Sequence, residues 1–432
     1  MLAQQYDAVG APIRLVDAPA PACPHDGVIV DVRATGICRS DWHAWRGHDP
    51  VPLPQIPGHE FAGVVSAVGP AVTAFDVGDR VTVPFVIGCG RCVWCHGGQA
   101  QVCPDQRQPG FTDPGSYAEQ VAIGNADFNL VRLPAGVDFV TAASLGCRFA
   151  TAFHALTAQA KVASGEWIAV HGCGGVGLST VMIASALGAR VLAVDVSAAA
   201  LERASELGAE VTVQGTDPVE AVLDATGGGA HVAVDALGSS ATATNAIRSL
   251  RRRGRHVQVG LMLADALATP LPWDEVVGRE LQVIGSHGMA AVEYPAMLDL
   301  IAQGRLQPHR LVGAVIDLAD AGRALMEMDR PSPERPGIVV ATVGPRPGVV
   351  SSRPIPGPSS LGRADPGCNR TQSREPPAQR RLRSSAAPSR GYPAVRRGSA
   401  GRHRRDDRVP RATIPSADRC RRCRSRAGRT TR

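Results

Sequence analysis

Short apolar runs rich in β-branched residues dominate the first third of the chain. Residues 28–32, 63–68 and 80–83 are such runs, and glycine, proline or aspartate bounds each of them. Runs of this length with these boundaries are typical of β-strands. The pattern therefore predicts a β-rich domain over residues 1–149.

Strand-like and helix-like stretches alternate over residues 150–285. Ser197 is placed to cap one of these helices and Gly208 to end it. Regular alternation of this kind indicates parallel βαβ units and a doubly wound α/β sheet. Strands are predicted at 167–171, 190–194, 232–235, 256–259 and 281–284, and helices at 176–187, 197–207, 217–225 and 241–251.

Mixed structure returns over residues 286–344, with a predicted helix near 296–302 and a last strand near 337–343. Beyond Val343 the chain is rich in arginine, proline, serine and glycine, and the apolar periodicity ends. Such a segment buries too little apolar surface to offset its ordering entropy, so residues 345–432 are predicted to be disordered.

The net charge of +7 averages two unlike regions. Residues 345–432 hold 23 arginines and five acidic residues, a net charge of +18, whereas residues 1–344 carry a net charge of −11. A basic tail can bind nucleic acid. We favour plain disorder or an out-of-frame reading of GC-rich coding sequence, so a nucleic-acid partner is not expected.

Membrane insertion and export are not expected from the sequence. No run of eighteen apolar residues is present. The first residues lack a basic stretch followed by an apolar core, which is the pattern of a secretory signal. The expected location is therefore the cytoplasm.

Four of the eleven cysteines crowd into one segment, at Cys89, Cys92, Cys95 and Cys103. Two successive C-x2-C steps and a fourth thiolate across a short loop can close a tetrahedral shell around Zn²⁺, with Zn–S bonds of about 2.3 Å. A closed four-sulfur site leaves no position for substrate, so its role is structural. An iron–sulfur cluster, disulfides and free thiols are the alternatives.

A second group of metal-binding residue types is spread along the chain. Cys38, the Gly58-His59-Glu60 element and Cys147 together offer a cysteine–histidine–cysteine set. Such a set leaves a fourth zinc position open for water or substrate, as catalytic zinc sites do. From spacing alone, Cys147 could equally be a small core residue and His59 a turn residue.

The turn Gly172-Cys173-Gly174-Gly175-Val176-Gly177 has the G-x-G-x-x-G pattern between a predicted strand and a predicted helix. This context is typical of a dinucleotide-binding turn, with the pyrophosphate at the helix N-terminus. Asp195 ends the next predicted strand, where a carboxylate can accept hydrogen bonds from ribose hydroxyls and repel a 2′-phosphate. The pattern therefore favours NAD over NADP.

Four features follow one another along the chain: Cys38, the Gly58-His59-Glu60 element, the four-cysteine lobe and Cys147. With these features in this order, the sequence resembles zinc-containing medium-chain alcohol dehydrogenases over about residues 1–344. The resemblance implies that Cys38, His59 and Cys147 bind the catalytic zinc and that the lobe binds a structural one, giving two zinc ions per chain. It also implies that Glu60 lies beside the metal and can join it, and that Asp41 orients His59.

The same resemblance implies a GroES-like β-rich catalytic domain over 1–149, a Rossmann NAD-binding domain over 150–285, and a return of residues 286–344 to the catalytic domain. Arg39 would contact the cofactor pyrophosphate. Ser40 would take the substrate proton and pass it through the cofactor ribose to His43 and then to solvent, a step that suits histidine because its unperturbed pKa is about 6.5. The family is oligomeric, so a dimer or tetramer is expected.

The implied reaction is reversible oxidation of a small alcohol to an aldehyde or ketone with hydride transfer to NAD. A related zinc enzyme acting on a polyol or a formaldehyde adduct is the first alternative. A nucleic-acid-associated protein acting through the basic tail is the second. Trp42, Phe85, Phe111 and Leu261 are candidates for the substrate pocket because they lie near the motifs.

Overall fold

A computed structural model describes residues 1–330 and 336–344. The predictions for residues 345–432, including their disorder and their nucleic-acid binding, lie outside the described residues. The strands are β1 Leu2–Gln5, β2 Arg14–Asp17, β3 Val28–Ile37, β4 Phe61–Val68, β5 Arg80–Thr82, β6 Gln120–Ile123, β7 Val131–Arg132, β8 Trp167–His171, β9 Arg190–Asp195, β10 Val211–Gln214, β11 Ala230–Asp235, β12 Leu250–Gln258, β13 Gln282–Gly285, β14 Val312–Asp317 and β15 Ile338–Thr342.

Helices connect these strands, and short 3-10 turns lie at Ala100–Val102, Ala264–Ala268, Ala291–Glu293, Pro308–Leu311 and Glu327–Asp329. The α-helices are α1 Arg39–Trp45, α2 Val93–His96, α3 Ala126–Asn129, α4 Phe139–Ala143, α5 Ala150–His154, α6 Gly175–Ala186, α7 Ala198–Glu206, α8 Val219–Thr226, α9 Ser240–Arg248, α10 Trp273–Gly278, α11 Tyr294–Ala302 and α12 Leu318–Met326.

The first large sheet contains seven strands, with β3 at its centre. Its order is β14-β15-β3-β4-β5-β7, and β6 also pairs with β3. The late strand β15 runs antiparallel to β3, with Val339 opposite Ile37 and Val340 opposite Gly36. The chain thus returns after residue 286 to brace the end of β3, directly before Cys38.

The second sheet has six parallel strands in the order β10-β9-β8-β11-β12-β13. This is the doubly wound arrangement that the alternation of strands and helices predicts. All five residues of β8 are buried, as expected for a central strand covered on both faces. The order reverses at β8, so the turn at Gly172 lies where such sheets bind ligands.

The segment from Phe139 to Gln159 is more irregular than a continuous α-helix. Helix α4 leads into a π-helical turn at Leu145–Phe149, then α5, then a second π-helical turn at Ala155–Gln159. Cys147 lies in the first of these turns. Such π-turns widen a helix locally and occur often at functional sites.

Two main apolar cores stabilise the two sheets. One packs Phe149, Leu156 and Ile183 against the parallel sheet, and the other packs Tyr6 and Phe61 against the β3 sheet. Each large buried side chain contributes about 1.5–3 kcal/mol to folding. Within the described part of the chain, no helix is both long and apolar enough to cross a membrane.

Candidate active site and metal centres

The four-cysteine lobe brings its thiols together around one point. The sulfur atoms of Cys89, Cys92, Cys95 and Cys103 all lie within 4.8 Å of one another. Cys89 and Cys95 are 4.0 Å apart, and Cys92 and Cys103 are 3.7 Å apart. Sulfurs on one tetrahedral zinc are separated by roughly 3.8 Å, so the group fits a closed zinc site. All four cysteines are free thiols, which removes the disulfide alternative.

Backbone contacts hold the lobe in this shape. The amide of Cys95 donates to Cys92 Sγ at 3.4 Å, and the amide of Cys89 donates to Cys103 Sγ at 3.4 Å. Asn129 fastens the start of the lobe, because its side chain accepts from the Gly88 amide at 2.8 Å and donates to the Gly88 carbonyl at 3.0 Å. These contacts hold the four thiols close to one another.

The second group assembles from three distant parts of the chain. Cys38 follows β3, His59 and Glu60 precede β4, and Cys147 lies in the first π-helical turn. One ligand atom from each lies within 4.8 Å of the others. His59 is 1% exposed, and its Nε2 has no hydrogen-bond partner among the described residues. An unpartnered, buried imidazole nitrogen beside two thiols is the donor set that zinc requires.

Asp41 holds the other side of the His59 ring. Its Oδ1 lies 2.9 Å from His59 Nδ1 and also accepts a hydrogen bond from the Gly58 amide at 2.9 Å. Both side chains are buried. Contact at Nδ1 leaves Nε2 for the metal, which is the usual arrangement of a carboxylate behind a ligating histidine.

The thiols of Cys38 and Cys147 form an interacting pair. The hydrogen bond from Cys147 lowers the pKa of Cys38 well below its ordinary value. The same contact, followed by burial, raises the pKa of Cys147. The pair therefore loses one proton readily, and a cation at this point favours loss of the second because metal ligation requires thiolate.

Glu60 is completely buried and is bound by Arg148. Its Oε1 accepts hydrogen bonds from Arg148 Nε at 3.1 Å and from the Cys147 and Arg148 amides at 3.1 and 3.0 Å, while Oε2 accepts one from Arg148 Nη2. Burial raises the pKa of Glu60, and Arg148 opposes that rise. Burial lowers the pKa of Arg148, but the charge of Glu60, the charge of Cys38 and the hydrogen bonds to Glu60 together outweigh this and raise the pKa overall.

Helix α1 carries the three remaining candidates. Ser40 Oγ lies 3.8 Å from Cys38 Sγ. Arg39 stacks on Trp42, with its guanidinium carbon 4.7 Å from the ring centroid, and donates to the Met328 carbonyl at 2.8 Å. These positions keep the Ser40 hydroxyl near the metal ligands and the Arg39 charge at the edge of the site.

His43 meets a second histidine that the sequence did not single out. Its Nδ1 lies 3.0 Å from His48 Nδ1. Burial, followed by the charges of His48 and Arg39, lowers the pKa of His43 to about 4. The unperturbed value of about 6.5 is thus lowered by desolvation and by neighbouring groups, which the sequence alone does not reveal.

The glycine-rich turn after β8 has the geometry of a dinucleotide site. Gly172 has φ +93°, which favours glycine, and a Cβ on Gly177 would lie 1.8 Å from the Gly172 carbonyl oxygen. A Cβ on Gly174 would meet nothing within 4 Å, so the turn is open there. Asp195 supports the turn, since Oδ2 accepts from the Cys173 amide at 2.6 Å and Oδ1 from the Ser197 amide at 2.9 Å.

Aromatic rings connect the second metal group to a cleft of about 410 Å³. Phe111 and Phe85 stand edge-on to His59, with centroids 5.4 and 5.9 Å away, and Phe85 meets His287 at 5.2 Å. His287 and Leu261 line the cleft. Trp42 instead packs against His43. The other polar residues that line the cleft are Gln101, His154, Gln159, Gln258 and Ser286.

Arg148, His48 and His154 were not predicted from the sequence. Arg148 stands beside Cys147, but its partner Glu60 is 88 positions away. His154 lies in the cleft, with Nδ1 2.9 Å from Glu293 Oε2, again across a long separation. Only the position of Arg148 next to a candidate ligand could have drawn attention to it.

Comparison with known proteins agrees with this architecture. The family model described as "Alcohol dehydrogenase GroES-like domain" matches residues 24–135, and the one described as "Zinc-binding dehydrogenase" matches residues 175–303. An alcohol dehydrogenase from Geobacillus stearothermophilus is 35% identical over 300 residues, which cover 68% of this chain and 87% of that protein.

Solved structures give the same result. The alcohol dehydrogenase TADH from Thermus sp. ATN1 superposes with a TM-score of 0.73 and 31% identity, covering 80% of this chain and 100% of that one. A structure described as an NAD-dependent alcohol dehydrogenase superposes with a TM-score of 0.72, 31% identity and the same coverage. With both metal-binding groups formed in the expected GroES-like and Rossmann frame, the chain belongs to the zinc-containing medium-chain alcohol dehydrogenase family.

Proposed function

We propose that this chain catalyses the reversible, NAD-linked oxidation of an alcohol to an aldehyde or ketone at a zinc site held by Cys38, His59 and Cys147. The observation that carries the proposal is the convergence of these three ligands, with Cys38 and His59 buried and Cys147 partly buried. Zn²⁺ supplies Lewis acidity toward the substrate oxygen, and NAD supplies the hydride acceptor.

The chain's own residues perform the remaining tasks. Asp41 fixes the His59 ring, while Phe85 and Phe111 keep water away from it. The Ser40 hydroxyl is near enough to the ligands to accept the substrate proton. The neutral imidazole of His43, in the last turn of α1, then accepts this proton.

The open turn from Gly172 to Gly177 would hold NAD. The amides at the start of α6 would bind the pyrophosphate, Val176 lies in the first turn of that helix, and Asp195 would accept hydrogen bonds from the ribose hydroxyls. Arg39 adds a positive charge from α1. The four-cysteine lobe binds the second zinc ion and has no open position for chemistry.

The proposed domain limits follow the two sheets. Residues 150–285 contain the whole parallel sheet and form the cofactor domain. Residues 1–149 contain β1 to β7 and form the catalytic domain. Residues 286–344 complete it, and the pairing of β15 with β3 supports this part of the proposal.

Replacement of Cys147 by alanine tests the catalytic assignment. We expect Cys147→Ala to lose alcohol oxidation and to retain one zinc ion per chain instead of two. Cys23→Ala is the matched control, because Cys23 is an exposed free thiol away from both groups. Full activity of Cys147→Ala with only the lobe zinc present would refute the assignment.

The polar lining of the cleft favours a hydroxyl-rich substrate as a second candidate. Gln101 Oε1 and Ser286 Oγ are buried without a partner within the described residues, and His154 and Gln159 border the same space. Buried polar groups of this kind strongly favour ligands that hydrogen-bond to them over ligands that do not. Steady-state rates with simple primary alcohols and with sorbitol-like polyols separate the two substrate classes.

The exposed edge of the parallel sheet supports a homo-oligomer. Strand β13 pairs only with β12 in the described part of the chain, and Trp273 and Val277 of α10 are 58% and 77% exposed. We expect Trp273→Lys with Val277→Lys to reduce the molecular mass measured by light scattering to that of one chain. Val9→Lys, at another exposed valine, should leave the mass unchanged.

A further inference from the structure

We propose that Arg148 is a positioning residue that holds Glu60 off the catalytic metal and links the Glu60 carboxylate to the dinucleotide turn. The inference rests on the proposed function, because it takes Cys38, His59 and Cys147 as the metal ligands. It concerns the fourth member of that group, whose carboxylate has an oxygen within 4.8 Å of the other ligand atoms.

Every hydrogen bond to the Glu60 carboxylate comes from the Cys147–Arg148 segment in the described residues. Oε1 accepts three donors, the Arg148 Nε and two backbone amides, and Oε2 accepts Arg148 Nη2. The guanidinium therefore binds the carboxylate at both oxygens, the strongest and most directional form of this pair. A carboxylate held in this way must lose these contacts before it can move toward a metal.

The charges at the site give this restraint a chemical consequence. Two thiolates balance the two charges of Zn²⁺, and Arg148 balances Glu60. Without Arg148, the buried carboxylate would have no cation near it except the metal. Ligation by Glu60 would then add a third anionic ligand and occupy the position that the substrate oxygen needs.

Close packing connects this pair to the cofactor turn. A Cβ on Gly175 would lie 2.5 Å from Arg148 Cδ. On the other side, a Cβ on Gly36 would lie 2.5 Å from Glu60 Oε2 and 3.0 Å from Arg148 Nη2. Arg148 and Glu60 thus fill the space between the end of β3 and the glycine-rich turn that side chains at Gly36 and Gly175 would otherwise occupy.

The test uses the full chain with Co²⁺ in place of the catalytic zinc, because the visible d–d bands of cobalt are intense in four-coordinate sites and weaker in five-coordinate ones. We expect Arg148→Met to lose band intensity as Glu60 joins the metal, and the Arg148→Met/Glu60→Gln double variant to recover it. The Kd for NAD, measured by fluorescence titration, should rise in Arg148→Met.

Arg203→Met is the matched control, because Arg203 is another buried arginine that pairs with a glutamate, in α7. Its cobalt spectrum and NAD affinity should equal those of the wild type. If Arg148→Met does not fold, Arg148→Lys serves instead, since one ammonium cannot engage both oxygens, and it should show a smaller loss of the same bands.

Three results distinguish a failure of the Arg148 role from a failure of the proposed function. A variant at Arg148 with two bound metals and an unchanged cobalt spectrum would overturn the role of Arg148 while leaving the proposed function intact. Loss of band intensity that the double variant does not reverse would also overturn it. A wild-type chain that binds metal only at the lobe would instead refute the proposed function.

Discussion

The Asp41 carboxylate lies 2.9 Å from Nδ1 of His59, and both side chains are buried. The same oxygen accepts the Gly58 amide, so Asp41 fixes the ring and the backbone before it together. Metal-bound histidines commonly use such a carboxylate, which sets the ring orientation and raises the basicity of the ligating nitrogen.

Removal of the Asp41 carboxylate should weaken the catalytic metal site alone. We expect Asp41→Ala to reduce zinc affinity at this site by about 10- to 100-fold. Titration with a chelator, followed by a zinc count, measures the change, and the lobe zinc should remain bound. Asp274→Ala, at an exposed aspartate, is the control. An unchanged chelator midpoint would contradict the role of Asp41.

The four-cysteine lobe should be a stability element with its own metal. We expect Cys95→Ser to lose one zinc ion, to keep the catalytic one, and to unfold at a temperature roughly 5–10 °C lower, because a structural zinc contributes directly to folding. Calorimetry with a zinc count measures both effects, and Cys23→Ser is the control. A variant that keeps two zinc ions and the wild-type Tm would refute this.

Features set by neighbouring residues were predictable from the sequence. Ser197 caps α7 by accepting from the Ala200 amide at 3.3 Å, and Gly208 follows with φ +115°. The lobe ligands also lie within fifteen positions of one another. In both cases the relevant atoms are brought together by local backbone geometry, which residue type and spacing control.

Contacts between distant residues that belong to no recognisable motif were not predictable. The pairing of Glu60 with Arg148 joins the residue before β4 to a π-helical turn 88 positions away. The pKa of His43 depends on burial and on His48. Tertiary packing decides each of these, and one sequence contains no direct record of it.

Asp195 should govern both cofactor choice and the shape of the turn. Its two oxygens accept the Cys173 and Ser197 amides, so Asp195→Ala removes support from the turn as well as the ribose acceptor. Each lost hydrogen bond costs about 1–1.5 kcal/mol, so the kcat/KM ratio of NAD to NADP should fall by roughly 10- to 100-fold. Glu202→Ala, on the exposed side of α7, is the control. A ratio equal to that of the wild type would count against NAD binding at Asp195.

The pH dependence of turnover tests the proton path through His43. Because its folded pKa is lowered to about 4, His43 is neutral and able to accept a proton at all higher pH values. The rate increase that His43 provides is therefore constant well above pH 4 and is lost as the pH falls through about 4. A histidine with an unperturbed pKa would instead lose its contribution to the rate as the pH falls through about 6.5.

We expect His43→Ala to slow turnover by a constant factor between about pH 5.5 and 8, with partial rescue by added imidazole. The factor should shrink toward one as the pH approaches 4. His48→Ala removes a neighbour that lowers the His43 pKa, so it should move this loss to higher pH. The proton path would be contradicted if the ratio of the wild-type rate to the His43→Ala rate changed between pH 6 and 7. It would also be contradicted if the two rates were equal.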